Sequence, residues 1–294
     1  MKLRILLLTL GLTFFSVTAS AQVQVVSTLP WIGSLAGDIG KDKVRVSILV
    51  KASQDPHFVE PKPSMILEVR KADLLMINGL DLEVGYLPVL LQSSRNPRIQ
   101  PGYQGYLDCS QFIVPIDPPA QLDRSMGDVH PQGNPHYHLS PKNMVQVAQG
   151  MAERLSSLDP PNSGVYRSNL EELKERFRAK QSLWATMPLK GKRFVAYHRF
   201  FEYLAGDFGF EISAYVEPKP GIPPSAAHIE TLVALVKQGK VDAFLTTSYY
   251  GKKEVAFLSQ ATGVKYVVVP HDVGADDTVR DCVSLIDQAL KSLQ

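Results

Sequence analysis

Two cysteines, Cys109 and Cys282, are all that a chain of 294 residues contains. That scarcity rules out a disulfide scaffold or a thiolate-built metal cluster as the basis of the fold. Nothing in the sequence brings two such distant positions together, so no bridge between them is expected. Net charge is missing as well: lysine plus arginine number 31 against 29 acidic residues, and without Lys2 and Arg4 of the N-terminal segment the balance is 29 to 29. With no basic cluster there is no electrostatic attraction to hold nucleic acid or an anionic membrane. Beyond the N-terminus no run is apolar enough to span a bilayer. There is also no Gly-x-Ser-x-Gly elbow, no P-loop and no His-Glu-x-x-His pair, the common local signatures of serine hydrolases, nucleotide hydrolases and zinc proteases.

The N-terminus is the one strongly apolar stretch. Lys2 and Arg4 precede a run from Ile5 to Val17, and Ala19-Ser20-Ala21 follows. The run is too short for a membrane span and the small residues form a cleavage site, so residues 1–21 read as a cleavable secretory signal peptide and the mature chain starts near Gln22. With no cysteine at that point a lipid anchor is not expected there, and the protein is placed outside the cytoplasm, in the periplasm or its equivalent.

About 270 residues remain, enough for two modest domains. Val23 to Leu29 and Val44 to Leu49 read as β-branched strands around a turn and helix at Pro30 to Gly40; Pro63-Ser64 caps a helix through Lys71, and Asp73 to Ile77 is a buried strand ending at Asn78-Gly79. This is a βαβ rhythm. The C-terminal half repeats it, with strands at Arg193 to Tyr197, Ile212 to Val216, Val241 to Thr246 and Lys265 to Val269, a helix at Phe200 to Phe208, and a helix capped by Pro224-Ser225 and stopped at Gly239. Glu-Pro-Lys-Pro occurs at 60–63 and again at 217–220. Between the halves, Tyr166, Leu170, Leu173, Phe177 and Trp184 form one stripe of a long helix whose other face is charged. The expected fold is α/β: an N-terminal lobe over 22–159, a rigid linking helix over 160–187 and a C-terminal lobe over 188–294, both lobes with mainly parallel sheets.

Seven histidines are present, and three of them fall within Gly127 to His138, the stretch GDVHPQGNPHYH. Asn134-Pro135-His136-Tyr137 resembles an earlier piece, Asp55-Pro56-His57-Phe58. In both, proline fixes the backbone before the histidine and an Asx residue can close a turn over it, so the imidazole is held stiffly. A metal ligand requires that preorganisation. His198 follows a strand at its C-terminal end, where open α/β sheets place ligand residues, and His271 with Asp272 follow a fourth apolar run. Positions from both lobes would meet in the cleft between them. Three neutral imidazoles and one carboxylate suit Zn2+, whereas an oxygen-rich set favours Mn2+. His130 is a candidate accessory ligand and His138 a neighbour of the site. Glu60 and Glu217 are candidates to orient ligands, and His228 reads as exposed.

At these residues the chain resembles the zinc and manganese solute-binding proteins of bacterial ABC transporters, the ZnuA/TroA-like family. The resemblance rests on Asp55-Pro56-His57 with Glu60-Pro61 and Pro63-Ser64, on Ala72-Asp73 with Asn78-Gly79-Leu80 and Leu82-Glu83, on Asn134-Pro135-His136, and on Tyr197-His198 with Tyr203-Leu204. It implies two α/β lobes joined by a long rigid helix, with one metal in the cleft held by His57, His136 and His198. The family's fourth ligand, an aspartate three residues before a glycine, falls by register on His271 and by chemistry on Asp272, and the choice stays open. His138 stands where the family commonly has tryptophan, and the long His- and acid-rich loop of many zinc members is absent. The function implied is capture of a divalent cation, zinc with manganese as the alternative, and its delivery by a monomeric binding protein to a membrane permease. A secreted zinc hydrolase is the rival reading, because three histidines with an open position also activate water.

Overall fold

The computed structural model describes residues 22–119, 130–239 and 241–294. The signal peptide expected at 1–21 and the first residues of GDVHPQGNPHYH lie outside the described residues. No helix among those described is long and apolar enough to cross a membrane.

Strand β1 (Val23–Ser27) leads into α1 (Pro30–Gly40), then β2 (Val44–Ile48), α2 (Pro63–Lys71), β3 (Leu74–Ile77), α3 (Leu87–Ser94) and β4 (Tyr106–Asp108). The strands form a parallel sheet in the order β2-β1-β3-β4, with Val25 in register with Val46 on one side and Leu74 on the other. β3 reads Leu-Leu-Met-Ile and is buried on both faces, as a central parallel strand must be. Pro30 begins α1 at its first position, and Trp31, Ile32, Leu35, Ala36 and Ile39 are buried at helical spacing. One expected cap is corrected. Pro63 is itself the first helical residue of α2 and Lys62 the N-cap, so Ser64 lies inside the first turn. Proline, with φ preset and no N–H to leave unpaired, takes N1 in preference to the cap position.

Helix α4 (Pro141–Leu158) lies outside the elements expected from sequence, although Ser140-Pro141 is a clear start: the Ser140 hydroxyl accepts from the N–H of Asn143 at 3.3 Å. Helix α5 (Ser163–Ala185) is the long helix of the linking segment. Its buried residues include Tyr166, Leu170, Leu173, Phe177 and Trp184, the stripe expected from the sequence. That stripe is apolar because α5 packs against α1 and α4 along its length rather than crossing solvent alone.

The second lobe repeats the plan with β5 (Arg193–Ala196), α6 (Glu202–Phe208), β6 (Glu211–Tyr215), α7 (Ala226–Lys237), β7 (Ala243–Thr246), α8 (Lys252–Thr262) and β8 (Tyr266–Val268). Its parallel sheet runs β6-β5-β7-β8, the same order as the first, so both β1 and β5 sit where the strand order reverses and both end at the cleft. The cap at Ser225 is present, its hydroxyl accepting from His228 N–H at 3.3 Å, and Gly239 ends the helix at φ 70°.

The last helix, α9 (Cys282–Ser292), returns across the chain and packs on α1, α4 and α5. Polar ties reinforce it. Trp184 Nε1 donates to Asp287 at 3.1 Å, and the Arg176 guanidinium bridges Asp38 of α1 (2.8 Å) and Asp281, the N-cap of α9 (2.6 Å). The C-terminal end of the chain is thereby stitched to the first lobe and the spine; an apolar core runs through both lobes, and a second, smaller cluster around Val195, Phe244 and Leu258 lies in the second lobe. Cys109 and Cys282 are buried free thiols.

Candidate metal centre

His57 follows Pro56 in a short 3-10 turn after β2. The Asp55 carboxylate accepts from the backbone N–H of His57 at 3.0 Å and from its ring Nδ1–H at 2.7 Å. One side chain thus closes the turn and fixes the tautomer, leaving the Nε2 lone pair for the cleft. Burial opposes the negative charge on Asp55, but the hydrogen bond and charge interaction with His57 hold it below the usual carboxylate range. Asn134 does the first half of that work for His136, its Oδ1 accepting from His136 N–H at 2.9 Å. Its Nδ2 donates across the cleft to the Arg199 carbonyl at 3.1 Å, tying the loop to the second lobe. The His136 ring packs against Phe200 at 4.4 Å between centroids.

His198 stands two residues beyond β5, and its Nδ1–H donates to Glu217, two residues beyond β6, at 2.7 Å. Its ring stacks on Tyr250 at 4.8 Å. Three imidazoles carried by different segments therefore converge: the Nε2 atoms of His136 and His198 are 3.2 Å apart, and one ring nitrogen from each of His57, His136 and His198 lies within 4.8 Å of the others. Zn–N bonds of about 2.0–2.1 Å arranged tetrahedrally require N–N edges of about 3.3–3.4 Å. The His136–His198 edge is close to that spacing. Burial, followed by the neighbouring imidazoles, holds His136 well below the usual histidine pKa, and burial lowers His198 despite its Glu217 partner. Both are neutral donors at pH 7, the form that binds a cation.

The other sequence candidates have distinct places. His130 is half-buried, with Nε2 3.2 Å from Nε2 of His57. His138 is buried, stacks on Trp31 with ring centroids 5.8 Å apart and donates from Nε2 to the His271 carbonyl at 2.7 Å. His271 directs Nε2 to the Ala52 carbonyl (2.6 Å) and Nδ1 to the Ser248 hydroxyl (3.3 Å). Asp272 is buried and accepts from the Val273 N–H at 2.7 Å; loss of solvation pushes its carboxyl up to about 8. Neither of these two, nor His130, joins the three converging nitrogens among the described residues. Glu60 is exposed, whereas Glu217 is the buried partner of His198, so the echoed tetrapeptide marks one working carboxylate and one surface residue. His228 is half-buried rather than exposed, its Nε2 donating to the Tyr215 carbonyl at 2.9 Å, because the first turn of α7 lies against the end of β6.

Sequence reasoning missed the ring bond of Asp55 and the aromatic walls at Phe200 and Tyr250. The Asx turn was legible and implied a carboxylate beside the ring; the aromatics carried no local signal. A cavity of about 510 Å³, lined by His130, His136, His198, Asn134 and Arg199 among others, opens beside the site. Glu217→Gln keeps the shape but removes the charge that makes His198 a better donor. It is expected to weaken zinc binding about tenfold by competitive titration; unchanged affinity would reduce Glu217 to a packing residue.

Two parallel α/β lobes with a histidine-lined cleft between them define a bilobal metal-binding protein. The match of residues 25–294 to the family described as the zinc-uptake complex component A, periplasmic, covers more than half of the chain, and the chain belongs to that family. Among curated relatives, the manganese ABC transporter substrate-binding lipoprotein PsaA of Streptococcus pneumoniae is 26% identical over 258 residues, covering 84% of this chain and 79% of the relative. The zinc-binding lipoprotein AdcA of the same species is 25% identical over 284 residues, 94% of this chain but 56% of AdcA. In fold, a crystal structure of ZnuA superposes with a TM-score of 0.76 at 23% identity, covering 93% of this chain and 98% of that one. The family is one of metal-uptake binding components, and the hydrolase alternative finds no support among these relatives.

Proposed function

We propose that this chain captures one divalent transition metal ion outside the cytoplasm, holds it with His57, His136 and His198, and delivers it as a monomer to the membrane permease of an ABC transporter. The reading is carried by one observation: imidazole nitrogens from three segments, each oriented by its own loop or carboxylate, meet within 4.8 Å. A site that stiff is a trap for a bare cation rather than a platform for chemistry on a larger substrate.

Zinc is the ion favoured by the donors. Nitrogen-rich, neutral sites select borderline metals such as Zn2+, whereas Mn2+ prefers carboxylate and water oxygens. The relatives do not decide this, since PsaA is named for manganese and AdcA for zinc. Release follows ligand exchange. The aromatic and backbone contacts that hold His198 and His136 must loosen locally, because α5 and α9 tie the lobes together.

Elemental analysis of the mature protein tests the reading. Stripped with chelator and reloaded with equimolar Zn2+ and Mn2+, the protein is expected to retain about one zinc per chain, the stoichiometry of a single closed site. Retention of no metal would overturn the binding function, and retention of manganese would overturn the assignment of the ion.

A further inference from the structure

Three histidines leave a tetrahedral ion one position short. The register of the family places that ligand on the segment after β8, but the two residues there are engaged elsewhere. Both ring nitrogens of His271 face other groups, the Ala52 carbonyl at 2.6 Å and the Ser248 hydroxyl at 3.3 Å, and its own carbonyl accepts from His138. Asp272 accepts from the N–H of Val273 at 2.7 Å and lies beside the backbone of Trp31 in α1. The pair works as a strut between the lobes.

A different imidazole, that of His130, adjoins one of the three, His57, from outside the group whose ring nitrogens lie within 4.8 Å of one another. Nε2 of His130 is 3.2 Å from Nε2 of His57, the same separation as between His136 and His198. The four rings thus form two pairs, each already at about the N–N edge of a zinc tetrahedron. The pairs adjoin, with the His57 ring centroid 5.3 Å from that of His136 and 5.4 Å from that of His198. His130, His136 and His198 also line one cavity, so they face the same void.

The Leu80 carbonyl lies beside the His130 ring. That carbonyl is aimed by an unusual backbone: Gly79, Leu80 and Asp81 all have positive φ, at 85°, 54° and 59°. Two consecutive non-glycine residues in the left-handed region are expensive and persist only when the surroundings enforce them. Here the buried Glu83 carboxylate does so, accepting from the N–H of Asn78 (2.6 Å) and of Gly79 (3.0 Å) and from the Thr28 hydroxyl (2.6 Å). The same turn supports the neighbouring ligand loop, because Asn78 Nδ2 donates to the Pro135 carbonyl at 3.1 Å.

We propose that His130 is the fourth metal ligand, closing an all-histidine site in place of the carboxylate after the last strand. This rests on the metal-binding reading above and sharpens it. A site of four neutral nitrogens discriminates against Mn2+ more strongly than one that includes a carboxylate, so His130 is the residue that sets ion preference.

X-ray absorption at the zinc edge, with affinity measured by chelator competition, tests the assignment on the intact mature protein. The wild type is expected to show four nitrogen scatterers with histidine multiple scattering. His130→Ala is expected to show three nitrogens and one oxygen, with zinc affinity lower by roughly 30-fold or more. Asp272→Asn, which keeps the shape of the strut, is expected to leave coordination and affinity unchanged. His130→Asp, an oxygen donor in the same loop, is expected to raise manganese affinity relative to zinc. Wild-type coordination and affinity in His130→Ala would overturn the proposal, as would an oxygen scatterer lost in Asp272→Asn. Either result, with zinc still bound and still dependent on His198, would leave the binding function standing. A wild type that binds no zinc would overturn both.

Discussion

His198→Ala is expected to lower zinc affinity by at least roughly 1,000-fold, the largest effect of any single substitution in the cleft. Removing an orienting partner of a ligand typically weakens a site by about 10–100-fold, and in the proposed site His198 is itself a ligand whose loss also strands its partner. Glu217 is buried and, among the described residues, would keep only the N–H of Gly221 at 3.3 Å, leaving a desolvated carboxylate facing the vacated space. Two readouts separate these effects. Chelator competition measures the lost affinity directly. Thermal unfolding with and without zinc measures linkage: an ion bound to the native state at 100 times its dissociation constant stabilises by about 2.7 kcal/mol, and that increment should vanish in the variant. A variant that still gains thermal stability from equimolar zinc would mean that the ion binds elsewhere.

The parts of this molecule legible in its sequence are those fixed by local chemistry. Asp55-Pro56-His57 and Asn134-Pro135-His136 announce stiff turns because the residues that build each turn are contiguous, and in the structure both Asx side chains accept from the histidine N–H as that chemistry requires. The stripe on α5 was legible for the same reason, since a helix shows its buried face at fixed spacing. What stayed hidden depends on contacts between distant segments. Nothing near His271 says that Ala52, some 219 residues away, offers a carbonyl that competes for its ring. Nothing near Asp272 says that the backbone of α1 lies beside it. Helix α9 reads as part of the second lobe because it follows β8 in the chain, and only packing shows that its apolar face is matched to α1, α4 and α5. Competition between partners is a property of the fold, and it decides which histidines face the cleft.

Gly79→Ala is expected to destabilise the whole protein by about 2–4 kcal/mol, combining left-handed backbone strain with overpacking. Gly79 has φ 85°, and an added Cβ would lie 2.0 Å from Asp108 Oδ1 and 2.6 Å from Ser110 Oγ. Those atoms cannot yield cheaply. Asp108 Oδ1 accepts from both the N–H and the hydroxyl of Ser110, at 2.9 and 2.7 Å, and so holds the turn after β4. The melting temperature should fall by roughly 5–15 °C for a chain of this size. Gly102→Ala supplies the control, since Gly102 has φ 90° but nothing within 4 Å of where an added Cβ would lie, so it carries the backbone strain alone. Its expected loss is about 1 kcal/mol. Equal losses in the two variants, measured by urea unfolding, would show that Asp108 and Ser110 adjust freely and that the turn is softer than its hydrogen bonds imply. The site should register the same change. The turn at Gly79 carries the Asn78 amide that holds Pro135 and the Asn78 carbonyl that accepts from the Tyr137 hydroxyl at 2.5 Å, and these contacts bracket His136. Gly79→Ala should therefore weaken zinc binding as well, whereas Gly102→Ala should leave it intact, because rigidity at Asn78 is transmitted to the ligand loop through those two bonds.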